Sequence, residues 1–175
     1  VSATFKYLFS DMGRIGNSRG ASSVAFDLGV LYKCEINDWE GAGWSVGLHV
    51  SNLGPKINYL TSKDALPATV KVGGAADLPF LQMHKLTLTA DLGYRLSPAD
   101  VQALSVSAGA EYAWRELVML RGGYHCGDKK KGDASYATAG AGVEYAGVRL
   151  DFAWLFAGHE YLARNTFWVS LGYSF

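Results

Sequence analysis

The sequence has 175 residues, which suits one domain, and its 16 basic and 16 acidic side chains cancel, so the bulk charge does not point to a nucleic-acid partner. Hydrophobic residues make up 49% and charged residues 18%, below the roughly 25% of an average soluble domain, which excludes a disordered chain. A membrane-spanning helix needs about 20 nearly uncharged apolar residues, and the longest charge-free stretch, 41–55, is shorter than that. Because Val1 already lies within a strand pattern and no signal peptide precedes it, we expect a processed or partial N-terminus.

Ten segments carry apolar residues at every second position, which is the period of a β-strand. No helical period separates them, so the pattern predicts an all-β antiparallel meander in a single domain over 1–175. In chain order the predicted strands run over Val1–Phe9, Val24–Tyr32, Trp44–Val50, Val70–Leu78, Leu86–Tyr94, Leu104–Trp114, Val118–Tyr124, Ala137–Tyr145, Val148–Phe156 and Phe167–Phe175.

The two faces of these strands differ in a way that favours a transmembrane β-barrel over a soluble β-sandwich. One face is rich in Ser, Thr and Gly with few charges, which suits a crowded, hydrated interior, whereas a sandwich exterior would be richer in Lys and Glu. The other face is apolar and carries Trp and Tyr near strand ends, as an aromatic girdle at a bilayer interface requires. The girdle candidates are Tyr7, Tyr32, Trp44, Tyr94, Tyr112, Trp114, Tyr124, Tyr145 and Tyr173.

Loop lengths indicate the orientation. With the C-terminal Phe175 at the periplasmic end, the tight turns at Ala146–Gly147 and Arg115–Glu116 are periplasmic. The longer connections are then external, at 10–21, 53–67, 96–103, 127–133 and 157–164. The periplasmic connections 34–42 and 79–84 are of intermediate length, so the alternation of short and long loops is clear only for the last four strands.

The inward charges nearly balance, with five basic and six acidic side chains, so we expect them to form salt bridges in the lumen; a selective polar conduit is the alternative. They are Lys6, Asp27, Lys71, Asp77, Asp91, Arg95, Glu111, Arg121, Glu144, Arg149 and Asp151.

No catalytic, metal or cofactor site is expected. His49, His125 and His159 have no motif-level spacing, and His159-Glu160 lacks the second His of a helical zinc motif. The Gly-rich segments precede no helix, so they do not form a phosphate loop. Cys34 and Cys126 fall at opposite ends of the predicted barrel, too far apart for a disulfide.

Several segments together resemble the PorV/PorQ family. They are AFDLGVLYK, GLHVSNLGPKINYLTSKDALPATVKVGGAADL with its SNLG-type turn, AGAEYAWRELVMLRGGYH, AGAGVEY, VRLDFAWL and NTFWVSLGYSF. The last segment, with its terminal aromatic residue, also looks like the C-terminal assembly signal of outer-membrane barrels. The resemblance implies an outer-membrane barrel of the type IX secretion system in Bacteroidota, related in fold to FadL-type fatty-acid channels.

The resemblance also implies fourteen strands, so we expect the ten strands here to be the C-terminal part of the barrel, without the first strands, a hatch-like segment and a signal peptide. A complete ten-stranded barrel is the alternative. The implied function is non-enzymatic: the protein binds the C-terminal domain of secreted cargo as it leaves the translocon barrel and passes it to the surface attachment complex. Outer-membrane lipids and lipopolysaccharide, the translocon, the cargo and attachment-complex subunits are therefore the expected partners.

Cargo and partners would contact the external loops. The loop residues predicted to bind them are Lys56, Asn58, Tyr59, Lys63, Lys129, Lys130, Lys131, His159 and Tyr161. The basic tip at 129–131 is alternatively a solvated hairpin, or a contact for lipopolysaccharide phosphates.

Two other functions are weighed against cargo binding. A FadL-like channel for hydrophobic small molecules would need an apolar lumen, but the large apolar residues predicted to face inward are few: Leu8, Leu31, Leu117, Met119, Leu155 and Trp168. A rim enzyme would lose activity on replacement of His125 or His159 by Ala.

Overall fold

The structure, a computed structural model, describes residues 1–10, 21–58, 63–158 and 165–174. Within these ranges most residues lie in β-strands, and two single-turn 3-10 helices occur at Ala99–Val101 and Lys129–Lys131. The strands are β1 (Ser2–Ser10), β2 (Ala21–Glu35), β3 (Gly43–Leu53), β4 (Ile57–Asn58), β5 (Lys63–Asp64), β6 (Thr69–Phe80), β7 (His84–Arg95), β8 (Leu104–Trp114), β9 (Val118–Cys126), β10 (Tyr136–Tyr145), β11 (Val148–Ala157) and β12 (Thr166–Tyr173).

Ten of these strands form one antiparallel up-and-down sheet in chain order, with β4 and β5 as a separate small hairpin between β3 and β6. The ten-stranded meander predicted from the alternation is thus confirmed. Several strands extend beyond the predicted bounds; β2 begins at Ala21 because residues 21–23, which carry no large apolar side chain, pair with 8–10 of β1.

Exposure across the sheet is the reverse of that in a soluble sheet. On β11 the outward Leu150 and Phe152 are 51% and 40% exposed, whereas Leu155, on the same face as Asp151, is 7% exposed. The same alternation, large apolar side chains out and small or polar side chains less exposed, recurs on β8, β9 and β10. We call these two surfaces the apolar face and the polar face.

Four short connections lie at one end of the sheet, which we call the turn end: 36–42, 81–83, 115–117 and 146–147. The connection expected to be intermediate at 79–84 is in fact a three-residue turn, because Phe80 and His84 still pair and their rings stack at 5.4 Å. Leu81 and Gln82 take the left-handed backbone conformation, φ 49° and 57°. Neither is Gly or Asn, the residues that usually signal such a turn.

A β-bulge interrupts the pairing of β2 with β3. Ser51 and Asn52, expected at a turn, lie within β3, and Asn52 has φ 56°. The Asn52 N–H donates a 2.8 Å hydrogen bond to the Asp27 carboxylate, which also pairs with Lys6 at 2.5 Å. Bulges bend a strand and increase its local twist, so this one shapes the sheet near its first edge.

The described sheet has two free edges. Among the described residues, β1 pairs with β2 and β12 with β11, and the two edges do not pair with each other. In the part of the chain that the structure describes, no helix has the length and apolar character needed to cross a membrane.

Candidate functional site

The longer connections gather at the other end of the sheet, which we call the loop end. An antiparallel meander places alternate connections at the same end, so 54–68, 96–103 and 127–135 lie there together. This arrangement brings most of the predicted binding residues to one rim.

Of the nine predicted binding residues, the structure describes six. Lys56 is exposed in the 54–68 connection, and the backbones of Asn58 and Lys63 pair in the β4–β5 hairpin. Lys129 and Lys130 are exposed and Lys131 is half-buried, all in the 127–135 connection. Tyr59, His159 and Tyr161 lie outside the described residues.

The 127–135 connection, which we call the lysine loop, has a defined internal structure. Asp128 caps its 3-10 helix by accepting a 2.9 Å hydrogen bond from the Lys130 N–H. Gly132 ends the helix in the left-handed conformation, φ 75°, and its N–H donates to the Lys129 carbonyl. The Ser135 hydroxyl closes the base of the loop by accepting from the Gly127 N–H at 3.2 Å.

Contacts from neighbouring strands draw the lysine loop over the polar face. The Arg95 guanidinium donates to the Lys131 carbonyl at 3.1 Å, and Lys131 Nζ donates to the Asp100 carbonyl at 3.3 Å. Arg95, the last residue of β7, lies on the polar face. Its contact therefore ties the loop to the side of the sheet opposite the apolar face.

A third tie is a chain of hydrogen bonds from β8 through β9 to the loop. Ser107 Oγ lies 2.9 Å from His125 Nδ1, and His125 Nε2 lies 3.0 Å from Asp133 Oδ1. In the neutral tautomer that donates from Nε2 to the carboxylate, Nδ1 accepts from the serine hydroxyl. Tyr136 stacks on the His125 ring at 4.8 Å. A hydrogen-bonded Ser–His–Asp chain is the arrangement of a nucleophile, its base and the group that orients the base. Here the same chain also holds the lysine loop to β8 and β9.

Sequence reasoning identified His125 but missed both of its partners. Ser107 could have been found, because correct pairing of β8 with β9 places it directly opposite His125. Asp133 could not, because it reaches His125 only through the fold of the lysine loop, which no local pattern specifies.

Some of the charges expected to pair on the polar face do so, in a cluster on β8 to β11. Arg121 bridges Glu111 and Asp151, at 2.5 Å each. Arg149 extends the cluster, contacting Asp151 at 2.8 Å and Glu144 at 3.5 Å. Five charged side chains from four adjacent strands thus hold each other in place. At the first edge Lys6 on β1 pairs with Asp27 on β2, and in the central strands Asp77 on β6 pairs with Lys85 on β7 at 3.2 Å.

A hollow of about 680 Å³ lies on the polar face between β1 and β7. Gly29, Gly47 and Gly73 lie close together on adjacent strands of its lining, and the side chains of Ser2 and Asp91 pack directly over Gly29 and Gly73. His49, Lys71, Asp91, Ser45 and Thr89 are among the polar groups that line it, together with Leu31. Within the described residues, Lys71 and Asp91 form no ion pair, so this part of the predicted salt-bridged interior is not paired.

The two cysteines lie where the predicted topology places them. Cys34 is at the turn end of β2, Cys126 is at the loop end of β9, and both are free thiols. Among the described residues no group of three His, Cys, Asp or Glu side chains is arranged to hold a metal ion.

Comparison with known proteins identifies one family. Its sequence profile, described as type IX secretion system protein PorV, matches residues 1–102, more than half of the chain. A search of curated proteins finds no match. The matched region runs from β1 to the connection after β7 and includes the bulge at Asn52, the β4–β5 hairpin and the hollow. The chain therefore belongs to the PorV family of type IX secretion system proteins.

Proposed function

We propose that this chain forms part of a closed barrel in the bacterial outer membrane, with the apolar face toward lipid and the polar face toward the lumen. The observation that carries the proposal is the reversed exposure of the sheet, since a contiguous apolar surface of this extent on a soluble monomer would cause aggregation. In a bilayer the same surface is the stable arrangement.

The spacing of aromatic residues supports a membrane span. Tyr94 lies near the loop end opposite Leu104, and Tyr112 lies eight residues further along β8, near the turn end. At about 3.4 Å per residue this is roughly 27 Å along the strand. With a usual strand tilt of about 35–45°, this segment spans about 19–22 Å along the membrane normal, roughly 3–6 Å less than an apolar band of about 25 Å.

The two free edges support further strands. A backbone edge facing hydrocarbon leaves hydrogen-bonding groups unsatisfied at several kcal/mol each, so a membrane sheet must close. We propose a fourteen-stranded FadL-like barrel in which four additional strands lie between β12 and β1. The alternative is a ten-stranded barrel that closes by direct pairing of β1 with β12.

The proposed function is to carry cargo, without catalysis. The protein would bind the C-terminal domain of a secreted substrate leaving the translocon and pass it to the surface attachment complex, using the loop end. Membership of the PorV family supports a role in this secretion system. Lys56, Lys129 and Lys130, exposed at one rim, are the described residues best placed for the contact.

The test is purification of the tagged full-length protein from its own outer membrane in mild detergent, followed by mass spectrometry. We expect a large translocon barrel or secreted proteins that share a C-terminal domain to co-purify. Recovery of the barrel alone, carrying fatty acids or other lipids, would instead support a FadL-like channel.

A second candidate, a rim hydrolase, is favoured by the Ser107–His125–Asp133 geometry. In that reaction Ser107 Oγ would attack an acyl ester, His125 Nδ1 would take its proton and return it to the leaving alcohol, and water would release the acyl group. Labelling with a fluorophosphonate probe decides between the two functions. We expect no labelling; labelling abolished by Ser107→Ala would establish the hydrolase.

A further inference from the structure

We propose that the lysine loop and Arg95 form a docking surface for an acidic polypeptide segment. The inference rests on the proposed carrier function, under which the segment would belong to the cargo. It goes further by naming both the chemistry of the contact and the side of the barrel on which it occurs.

The first step of the argument is that the loop is ordered before any partner binds. Its 3-10 helix is capped at both ends by Asp128 and Gly132, and Asp133 is fixed to His125. A preformed loop loses less conformational entropy on binding than a flexible tip does, so its charges can contribute more to affinity.

The second step concerns charge. The two carboxylates of the loop make contacts within the protein: Asp128 accepts from a backbone N–H, and Asp133 contacts His125. Within the described residues Lys129 and Lys130 form no ion pair, and both are exposed. In the part of the chain that the structure describes, the guanidinium of Arg95 contacts a backbone carbonyl and forms no ion pair with a carboxylate. Asp128 and Asp133 keep their negative charges, but Lys129, Lys130, Lys131 and Arg95 outnumber them, so this part of the described surface carries a net positive charge.

The third step distinguishes a polypeptide from membrane phosphates. The lysine loop is tied to Arg95, Ser107 and His125, which all lie on the polar face. A site for lipid phosphates would project its cations beside the apolar face, at the height of the headgroups. The loop instead covers the end of the polar face, where a chain passing over the barrel mouth would contact it.

The experiment measures binding of a fluorescein-labelled twelve-residue poly-glutamate peptide to the purified full-length protein by fluorescence anisotropy. We expect the double variant Lys129→Gln/Lys130→Gln to bind the peptide about fivefold more weakly, since each exposed ion pair contributes little free energy. Added salt should weaken binding by the wild-type protein, because it screens exposed charges. Lys129→Arg/Lys130→Arg keeps the charge and should bind normally. Lys33→Gln removes an exposed lysine at the turn end and should also bind normally.

Equal affinity of the Gln double variant and wild type for the peptide would overturn the proposal. Loss of lipopolysaccharide-vesicle binding in that variant with peptide binding unchanged would also overturn it, and would assign the lysines to lipid phosphates. Co-purification of wild-type protein with the secretion machinery separates the two proposals. If it succeeds while peptide binding is insensitive to the lysines, only the docking surface fails.

Discussion

The carboxylate of Asp27 on β2 accepts a 2.8 Å hydrogen bond from the backbone N–H of Asn52, the residue that bulges out of β3. The side chain of one strand thus satisfies a backbone donor that the bulge removes from the ladder of the next. Lys6 on β1 completes the arrangement, contacting both the Asp27 carboxylate and the Asn52 side-chain oxygen. One carboxylate links the first three strands of the sheet.

Replacing Asp27 by Ala should therefore destabilise the protein, because the Asn52 N–H and the Lys6 ammonium both lose their acceptor. We expect the unfolding temperature in detergent to fall on the order of 3 °C, measured by the heat-dependent shift in gel mobility. Ser22→Ala, at an exposed position of the same strand, is the matched control. An unfolding temperature unchanged by Asp27→Ala would show that the bulge does not depend on this carboxylate.

Arg121 should contribute more to the free energy of unfolding than a lysine in a single ion pair does. It pairs with both Glu111 and Asp151, and its side chain is only about 29% exposed. Arg121→Met leaves Glu111 without its cation, and we expect it to lower the free energy of unfolding by about 1–2 kcal/mol. Lys85 pairs with Asp77 and is more exposed than Arg121, so Lys85→Met should lower the free energy of unfolding by less than about 1 kcal/mol. Urea unfolding in lipid vesicles measures both; equal losses would mean that the cluster acts as separate surface pairs.

The turn between β10 and β11 offers a stabilising substitution. Ala146 and Gly147 have φ 51° and 78°, the two positive values of a type I′ hairpin turn, and Asn is much better suited than Ala to the first position. We expect Ala146→Asn to raise the free energy of unfolding by about 0.5–1 kcal/mol. Gly147→Ala should lower it, because its left-handed conformation disfavours a side chain. The same urea titration measures both, and destabilisation by Ala146→Asn would contradict the turn geometry.

The sequence was most informative where one physical rule acts alone. Strict alternation predicted the ten strands and their two faces, because a strand must place successive side chains on opposite sides. It also placed Cys34 and Cys126 at opposite ends. The bulge at Asn52 was interpreted as a turn, because Asn is common in turns, and the tight turn at Leu81–Gln82 was missed, because neither residue usually adopts the left-handed conformation.

The candidate site was predictable only as a set of loops. The run of three lysines indicated a basic tip, but the turn of that tip over the polar face depends on Arg95 and on the Ser107–His125–Asp133 chain. Those contacts join residues up to 36 positions apart, and they form only once the sheet has its register.

The most direct test of the account is whether the apolar face contacts lipid. Phe152 and Ala153 are adjacent near the middle of strand β11 and point to opposite faces. Single substitutions Phe152→Cys and Ala153→Cys, in a background with Cys34 and Cys126 replaced by Ser, would carry a bimane label in vesicles containing brominated lipid. We predict strong quenching of the label at position 152 and little at 153. Equal quenching at both positions, or stronger quenching at 153, would contradict the proposed orientation of the sheet.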